Sequence, residues 1–187
     1  MGELFVAASN RGVVTSSFEE DAPFFERLAR EGYEVMGPED GRRDRAEEIA
    51  VQAVEEIGEY FSGGRTRFEV PLDFGRQTDF TLAVLGEVAS GVPFGTTVSY
   101  GEIGERAGRP RAARAVGNIM ANCPFSLLVP CHRVVHAQGP LRPWPGEPGE
   151  QASRKIRLLE HERRLSEDRG SDHKTRIGPR SKDREGS

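Results

Sequence analysis

The sequence predicts an α+β fold made of a small N-terminal α/β domain, residues 1–75, and a mostly helical domain, residues 76–165. Strand-like runs of apolar and β-branched residues cluster in the first part, whereas helical spacing and tight turns dominate from Thr78 onward. Beyond residue 165 nearly every residue is polar, which predicts a disordered tail over residues 166–187. A chain of 187 residues is long enough to bury a sizeable core.

The N-terminal domain is predicted to open with a β-hairpin whose strands are residues 4–8 and 13–18. A helix follows over residues 21–30, and apolar residues at helical spacing indicate a second helix that ends before Gly63. Residues 68–72 are typical of a third strand. We expect this domain to act as a scaffold, because it carries no catalytic constellation of its own.

The second domain is predicted to contain a helix-turn-helix. A mostly buried helix spans about residues 80–88, and Ser99 with Glu102 forms a capping box that starts a short helix. A turn at residues 108–110 then leads to a further helix over residues 111–121. Two short helices joined by a glycine-bearing turn are typical of this motif.

The outer face of this last helix suggests a nucleic-acid contact. Small side chains allow close approach to a groove, and arginines contact phosphates or probe the base stack. The alternative is a plain packing unit, since helix-turn-helix shapes also occur without DNA binding. The inward residues are Val116, Ile119 and Met120, and the outward ones are Arg111, Arg114, Asn118, Ala112, Ala113 and Ala115.

Residues 127–135 combine a predicted short buried strand with reactive side chains. Pro130 ends the apolar run, and Cys131 and His132 follow at once. The imidazole can take the thiol proton, directly or through a water, if a third group orients its ring. Because a cysteine in an apolar run is often an inert core residue, a structural thiol is the alternative.

Cysteine usage and charge narrow the class of protein. The chain has two cysteines, Cys123 and Cys131, and no CxxC pair, so we expect a reducing compartment and no zinc site. No apolar run reaches membrane-spanning length and no basic leader is present, which predicts a soluble, cytoplasmic protein.

The first 90 residues hold 9 Lys and Arg against 19 Asp and Glu, whereas the remainder holds 17 against 11. A polyanion would therefore bind the second part.

Four segments resemble the O6-alkylguanine-DNA alkyltransferases, also called methylated-DNA–protein-cysteine methyltransferases. The resemblance is dense over residues 70–165 and weaker over residues 1–70. It implies a ribonuclease H-like N-terminal domain and a winged-helix variant of the helix-turn-helix in the catalytic domain. The segments are Pro93-Phe94-Gly95 with Val98-Ser99-Tyr100, Ala112-Ala113-Arg114-Ala115-Val116-Gly117, Val129-Pro130-Cys131-His132-Arg133-Val134-Val135, and Lys155 with Leu158-Leu159 and Glu162.

The resemblance implies DNA repair by direct reversal of damage. In this family the cysteine attacks the alkyl carbon of O6-alkylguanine, with O4-alkylthymine as a further candidate, and leaves unmodified DNA and a stable thioether. Each molecule acts once, as a monomer, without a metal or organic cofactor. The partner is double-stranded DNA, bound from the minor groove with the damaged base flipped out.

By position in the motifs, the resemblance assigns a role to each reactive side chain. Cys131 is the acceptor, His132 the water-mediated base and Glu162 the group that orients the imidazole. Tyr100 donates a hydrogen bond or proton to the guanine ring. Arg114 inserts into the duplex in place of the flipped base.

Further residues are assigned to the base pocket and the DNA interface. The Val134 carbonyl meets the guanine exocyclic amine, Lys155 supports the active-site loop, and Trp144 falls where the family has a tyrosine wall. Pro145 has no N–H, so the donor that normally meets the guanine O6 is missing. The resemblance and the exposed helix face together give the DNA contacts as Arg114, Ala113, Ala115, Arg111, Asn118 and Arg133.

The chain departs from the family pattern at two places. Cys123 precedes Pro124 where the family usually has asparagine, and residues 139–149 replace the usual glycine-rich loop. Two alternatives of another class therefore stay open, with a thiol hydrolase as a weaker third. A non-catalytic sensor would bind alkylated bases and recruit other factors, although such proteins lack the cysteine. A helix-turn-helix regulator would bind undamaged DNA sequence-specifically and be indifferent to Cys131→Ala.

Overall fold

The computed structural model describes residues 3–18, 21–30, 32, 44–139 and 149–175. The chain opens with the predicted hairpin, in which β1 (Phe5–Ser9) pairs antiparallel with β2 (Gly12–Ser17). Every residue of β2 is buried, its serines and threonine included, so this strand lies inside the molecule rather than at a solvated edge.

The two helices predicted for the N-terminal part are confirmed. The first, α1, spans Asp21–Arg30, and the second, α2, spans Arg45–Phe61. The Asp44 side chain caps α2 by accepting a hydrogen bond from the Glu47 N–H at 2.9 Å. Apolar residues at helical spacing bury one face of α2, as their periodicity predicts. They include Ile49, Ala53, Ile57 and Tyr60.

The predicted third strand is reduced to a single bridge. Leu72 pairs with Val13 in parallel, through hydrogen bonds from the Val13 N–H to Pro71 O and from the Asp73 N–H to Val13 O, both at 2.8 Å. Pro71 has no N–H and cannot extend the ladder. The backbones also approach so closely that a Cβ on Gly12 would lie 2.7 Å from Pro71 O.

The helices of the second part follow the prediction, with one correction at a helix start. They are α3 (Asp79–Gly91), α4 (Tyr100–Arg106) and α5 (Ala113–Ala121), and the capping box of Ser99 and Glu102 is present. The prediction that Arg111 lies in the last helix is wrong. Its φ of 67° is left-handed, because the chain is still turning between α4 and α5 at this residue.

The predicted strand at residues 127–129 is also wrong, although these residues are buried as expected. Leu127 has a φ of 71°, and the Leu128 and Val129 N–H groups donate to Ser126 O and Phe125 O at 2.9 and 3.1 Å. The apolar run is therefore a tight turn, because its hydrogen bonds are local and not between strands. A 3₁₀ turn, Cys131–Arg133, follows.

A short parallel pair joins this turn to the start of α4. Strand β4 (Val134–Val135) pairs with β3 (Val98–Ser99), which runs directly into α4. Tyr100 directly follows β3 and Arg133 directly precedes β4, so the pair fixes these two residues relative to each other.

The last helix, α6, spans Gly149–Thr175 and so continues beyond residue 165. The predicted start of the disordered tail is therefore wrong over residues 166–175. Local pairs hold the helix there: Ser166 Oγ donates to Glu162 O at 2.8 Å, and Arg163 pairs with Glu167 at 2.7 Å. Residues 176–187 lie outside the described residues.

One hydrophobic core includes residues from both predicted domains. Val13 and Ile49 belong to the same buried cluster as Val84, Val116 and Leu158. The architecture is thus a mixture of helices and short two-stranded sheets around a shared core. Among the described residues, no helix combines the length and apolarity needed to cross a membrane.

Candidate active site

The thiol predicted as the nucleophile lies in a cavity. Cys131 begins the 3₁₀ turn, where its N–H donates to Val129 O at 2.7 Å. Its side chain lines a cavity of about 450 Å³ together with Tyr100, Cys123, His132 and Lys155. Tyr100 and Lys155 are distant from Cys131 in the sequence, and the structure brings them to the same cavity. Cys123 is the one residue of the five without a predicted role.

His132 and Glu162 form the predicted pair. His132 Nε2 and Glu162 Oε1 are 2.8 Å apart, and both side chains are buried. Burial alone would raise the pKa of Glu162, but hydrogen bonds and charges from His132 and Arg133 lower it to about 2. An ionised carboxylate can only accept, so Nε2 carries the proton. The lone pair of Nδ1 is then left to act as the base.

The Glu162 carboxylate also accepts hydrogen bonds from three further residues. Arg133 Nε and Nη2 donate to it at 3.0 and 2.9 Å, the Gly95 N–H at 2.9 Å, and the Tyr60 hydroxyl at 2.8 Å. These contacts fix the carboxylate rotamer, which in turn fixes the imidazole of His132.

The assignment of Arg133 to the DNA interface is wrong. Its side chain is only 5% exposed, and its remaining donor Nη1 bonds Val92 O at 2.7 Å. All of these donors serve internal acceptors, because the arginine balances the charge of Glu162 inside the protein.

Tyr60 belongs to this network, although its position in the apolar face of α2 indicates only a core residue. It is fully buried, and burial followed by the charge of Glu162 raises its pKa well above the ordinary value. The phenol therefore stays protonated and donates to the carboxylate. A buried tyrosine hydroxyl requires a hydrogen-bond partner. The presence of a tyrosine in an apolar helix face is thus the one signal in the sequence for such a contact.

The resting thiol and imidazole are both neutral. A hydrogen bond with the Cys123 thiol, and then burial, raise the pKa of Cys131, while the nearby charge of Lys155 opposes this rise. Burial lowers the pKa of His132, against the influence of Glu162. The site therefore holds an acid and a base in the correct states for proton transfer from thiol to imidazole.

Tyr100 and Lys155 form a second pair on the wall of the cavity. Lys155 Nζ donates to Tyr100 Oη at 3.0 Å and lies 5.4 Å from the centre of its ring. The ring also makes an edge contact with His136 at 5.6 Å between centroids. Because the phenol oxygen accepts from an ammonium group, its own proton can point toward a bound base.

The exposed residues of α5 lie where the sequence predicts them. Arg114, Ala115 and Asn118 are exposed and Ala113 is half-buried, while Val116 and Met120 face the core. Arg111 is exposed in the preceding turn. Val134 is fully buried in β4.

Trp144 and Pro145 lie outside the described residues.

Within the described part of the chain, no three His, Cys, Asp or Glu side chains converge in a way that could hold a metal ion.

The two shifted pKa values in the His132–Glu162 pair predict a loss of stability in acid. The folded pKa of Glu162 is about 2 against an ordinary 4.5, so its contribution is complete above pH 4.5 and disappears as the pH falls toward 2. His132 has a folded pKa below its ordinary 6.5, so the unfolded chain takes up that proton first and stability already declines below pH 6.5. Urea unfolding midpoints measured from pH 8 downward should fall in both windows. A midpoint that stays constant between pH 7 and 3 would contradict this assignment.

Residues 79–164 match the family model described as the DNA binding domain of 6-O-methylguanine DNA methyltransferase. A methylated-DNA–protein-cysteine methyltransferase of Mycolicibacterium paratuberculosis is 44% identical over 114 residues, which are 61% of this chain and 66% of that protein. The protein of the same name from Cricetulus griseus is 35% identical over 156 residues, which cover 81% of this chain and 68% of the relative. The chain belongs to the methylated-DNA–protein-cysteine methyltransferase family.

A solved member of this methyltransferase family shares the architecture. The structure of Mycobacterium tuberculosis OGT in complex with DNA matches with a TM-score of 0.65 and 32% identity, over 87% of each chain. The match to the Mycolicibacterium methyltransferase spans slightly less than two thirds of that relative's length. Cys131, His132, Glu162, Tyr100 and Lys155 all fall inside the segment that the family model covers.

Proposed function

We propose that this methyltransferase family member repairs DNA by moving an alkyl group from O6-alkylguanine to its own Cys131. The observation that carries this proposal is the placement of the Cys131 thiol in an open cavity, next to a neutral His132 that a buried carboxylate orients. The exposed helix α5 and the family's DNA-binding domain support double-stranded DNA as the partner.

The transfer is a direct displacement. His132 Nδ1 takes the Cys131 proton, directly or through a water, and the sulfur forms a bond to the alkyl carbon. The bond between that carbon and the guanine O6 breaks, and the electron pair stays with the base. Tyr100 donates a hydrogen bond to the guanine ring as this charge develops, while Lys155 supports the phenol oxygen. The product is a thioether, so each molecule reacts once.

The DNA would be bound from the minor groove by α5, with Arg114 in place of the flipped nucleotide. Flipping is required because the thiol lies inside a cavity that a stacked base cannot enter. The small side chains of Ala113 and Ala115 flank Arg114 and leave room for the groove. Val134, Trp144 and Pro145 would complete the base pocket.

The finer assignments of fold, assembly and location belong to the same proposal. The hairpin β1–β2 with α1 and α2 fits a ribonuclease H-like N-terminal part, and α4, α5 and the β3–β4 pair fit a winged-helix variant of the helix-turn-helix. We also infer a monomer that acts in the cytoplasm.

Replacement of Arg114 by alanine is expected to slow transfer from duplex DNA more than transfer from the free alkylated base. Unstacking a base costs a few kcal/mol, and Arg114 is proposed to offset that cost. Single-turnover rates should therefore fall by about 10-fold to 100-fold on duplex substrate. Arg67→Ala, an exposed arginine between α2 and α3, is the control and should leave both rates unchanged. Equal losses on both substrates would show that Arg114 does not assist flipping.

The proposed reaction is tested by its stoichiometry. A duplex with one O6-methylguanine, supplied in excess, should yield one restored guanine per protein molecule and then no more. A sensor would bind this duplex more tightly than the undamaged one and restore none. A regulator would prefer a particular undamaged sequence and would be unaffected by Cys131→Ala. Continued restoration beyond one equivalent would exclude the suicide mechanism.

A further inference from the structure

Cys123 is a second thiol in the cavity of Cys131, and no step of the proposed transfer uses it. Both cysteines are free, both are partly exposed, and both line the same cavity. The Cys123 thiol is close enough to the Cys131 thiol to raise its pKa. Cys123 stands where the family usually has asparagine, so the second thiol is a departure of this chain from the family pattern.

The backbone on each side of Cys123 is anchored. Its own N–H donates to Met120 O at 3.3 Å, at the end of α5. The next residue, Pro124, accepts from the Ser16 N–H and from Thr15 Oγ1, each at 2.8 Å, so β2 holds this segment. These bonds place Cys123 between two fixed elements.

The backbone of Cys131 is anchored as well. It lies in the 3₁₀ turn, and its N–H donates to Val129 O. The Arg133 N–H donates to Pro130 O at 2.9 Å, so hydrogen bonds restrain the turn around Cys131. A disulfide requires two cysteines whose side chains lie close to each other. Cys123 and Cys131 line the same cavity and so are placed for such a bond.

We propose that Cys123 and Cys131 form a reversible disulfide in response to peroxide, and that this bond withholds the acceptor thiol from alkylated DNA. This inference rests on the proposed function, since it concerns the availability of the same thiol. It assigns Cys123 as an oxidation partner, a modification site rather than a participant in alkyl transfer.

The chemistry balances with peroxide as the oxidant. The Cys131 thiolate attacks one peroxide oxygen, the O–O bond breaks, and Cys131 becomes a sulfenic acid with release of one water. The Cys123 sulfur then attacks the Cys131 sulfur, the S–S bond forms, and the S–O bond of the sulfenic acid breaks, so that the oxygen leaves with the Cys123 proton as a second water. Two thiols are oxidised and one peroxide is reduced. A dithiol reverses the reaction by thiol–disulfide exchange.

Two residues near the pair support the first step. Lys155 places a positive charge near Cys131, which stabilises its thiolate, and His132 can accept the proton. Without a second thiol, the sulfenic acid would proceed to sulfinic acid, which dithiols do not reverse. Cys123 therefore protects an acceptor that each molecule can use only once.

The test treats the full chain with hydrogen peroxide and then maps its peptides under non-reducing conditions. A peptide pair linked through Cys123 and Cys131 within one chain is expected, with transfer to O6-methylguanine duplex reduced to the level of Cys131→Ser. Dithiothreitol should remove the link and restore transfer to the level of the untreated protein.

Cys123→Ser and Cys123→Ala provide the matched variants, each compared with its own untreated sample. After the same peroxide dose, both should carry sulfinic acid at Cys131 and should fail to recover transfer with dithiothreitol. The proposal would be overturned if the parent protein carried sulfinic acid at Cys131 and a free thiol at Cys123. It would also be overturned if the disulfide formed only between two chains. Because the linked peptide is read without DNA, absence of transfer in untreated protein would contradict the proposed function and leave the disulfide result intact.

Discussion

Replacing Glu162 by glutamine is expected to lower the free energy of unfolding by about 3–5 kcal/mol, because it removes one partner of a buried ion pair. The Arg133 guanidinium would remain inside the protein with no counter-ion, at a position only 5% exposed. The amide is also a donor, so one of its two ends would face the donors from Tyr60, Gly95 or His132 without being able to accept. Urea unfolding at neutral pH measures this loss.

The same substitution is expected to abolish most alkyl transfer, because His132 loses the acceptor that fixes its tautomer. With an amide at position 162, the imidazole can place its proton on Nδ1, the atom proposed to receive the thiol proton. The transfer rate should be compared at a temperature where the variant is folded.

Glu167→Gln is the matched control for both effects. Glu167 lies on the same helix and pairs with Arg163, but both side chains are more than 60% exposed, so the pair contributes little. This variant should match the parent protein in stability and in transfer. A Glu162→Gln protein as stable as the Glu167→Gln protein would contradict the assignment of Glu162 as the counter-ion of Arg133.

Replacing Tyr100 by phenylalanine is expected to slow alkyl transfer by about 10²-fold to 10⁴-fold, the usual contribution of a positioned proton donor. Phenylalanine keeps the ring that packs against His136, so the cavity wall is preserved. It removes the hydroxyl that accepts from Lys155 and that is proposed to donate to the guanine ring. The effect should therefore be on the rate of the chemical step and not on folding.

Single-turnover transfer with saturating O6-methylguanine duplex measures this rate, and thermal unfolding checks the fold. Affinity for the damaged duplex should stay within a few-fold of the parent protein. A Tyr100→Phe variant that transfers at the parental rate would show that the leaving base needs no donor from this residue.

Features set by neighbours in the sequence could be predicted from it. The hairpin, the apolar face of α2 and the capping box of Ser99 with Glu102 each depend on residues a few positions apart, and all are confirmed. The local pattern also predicts Cys131 and His132 as nucleophile and base, and the resemblance adds Glu162, which the structure brings into direct contact with His132.

Features set by contacts between residues that are distant in the sequence could not be predicted from it. Tyr60 bonds Glu162 across 102 positions, and its place in an apolar helical pattern gives no sign of which carboxylate it meets. The assignment of Arg133 to the DNA interface is wrong because its partner Glu162 lies 29 positions away, beyond the reach of any local pattern. The apolar run at residues 127–129 fits strand and turn equally well, since periodicity does not distinguish them over so few residues.

The N-terminal part does more than the predicted scaffold role. Through Tyr60 it contributes a donor to the carboxylate that orients His132. Through β2 it holds the segment that leads to Cys131: Ser16 Oγ donates to Ser126 O at 2.8 Å, and the Ser126 N–H donates back to Ser16 O at 2.9 Å. Changes in the first 75 residues are thus expected to reach the active site through these few contacts.

The most direct test of the proposed repair reaction is intact-protein mass spectrometry after incubation with a duplex that carries one O6-methylguanine. The mass should increase by one methyl group per molecule, the modified peptide should contain Cys131, and Cys131→Ser should gain nothing. Unchanged mass in a reduced, folded protein that still binds the damaged duplex would contradict alkyl transfer and favour a damage sensor.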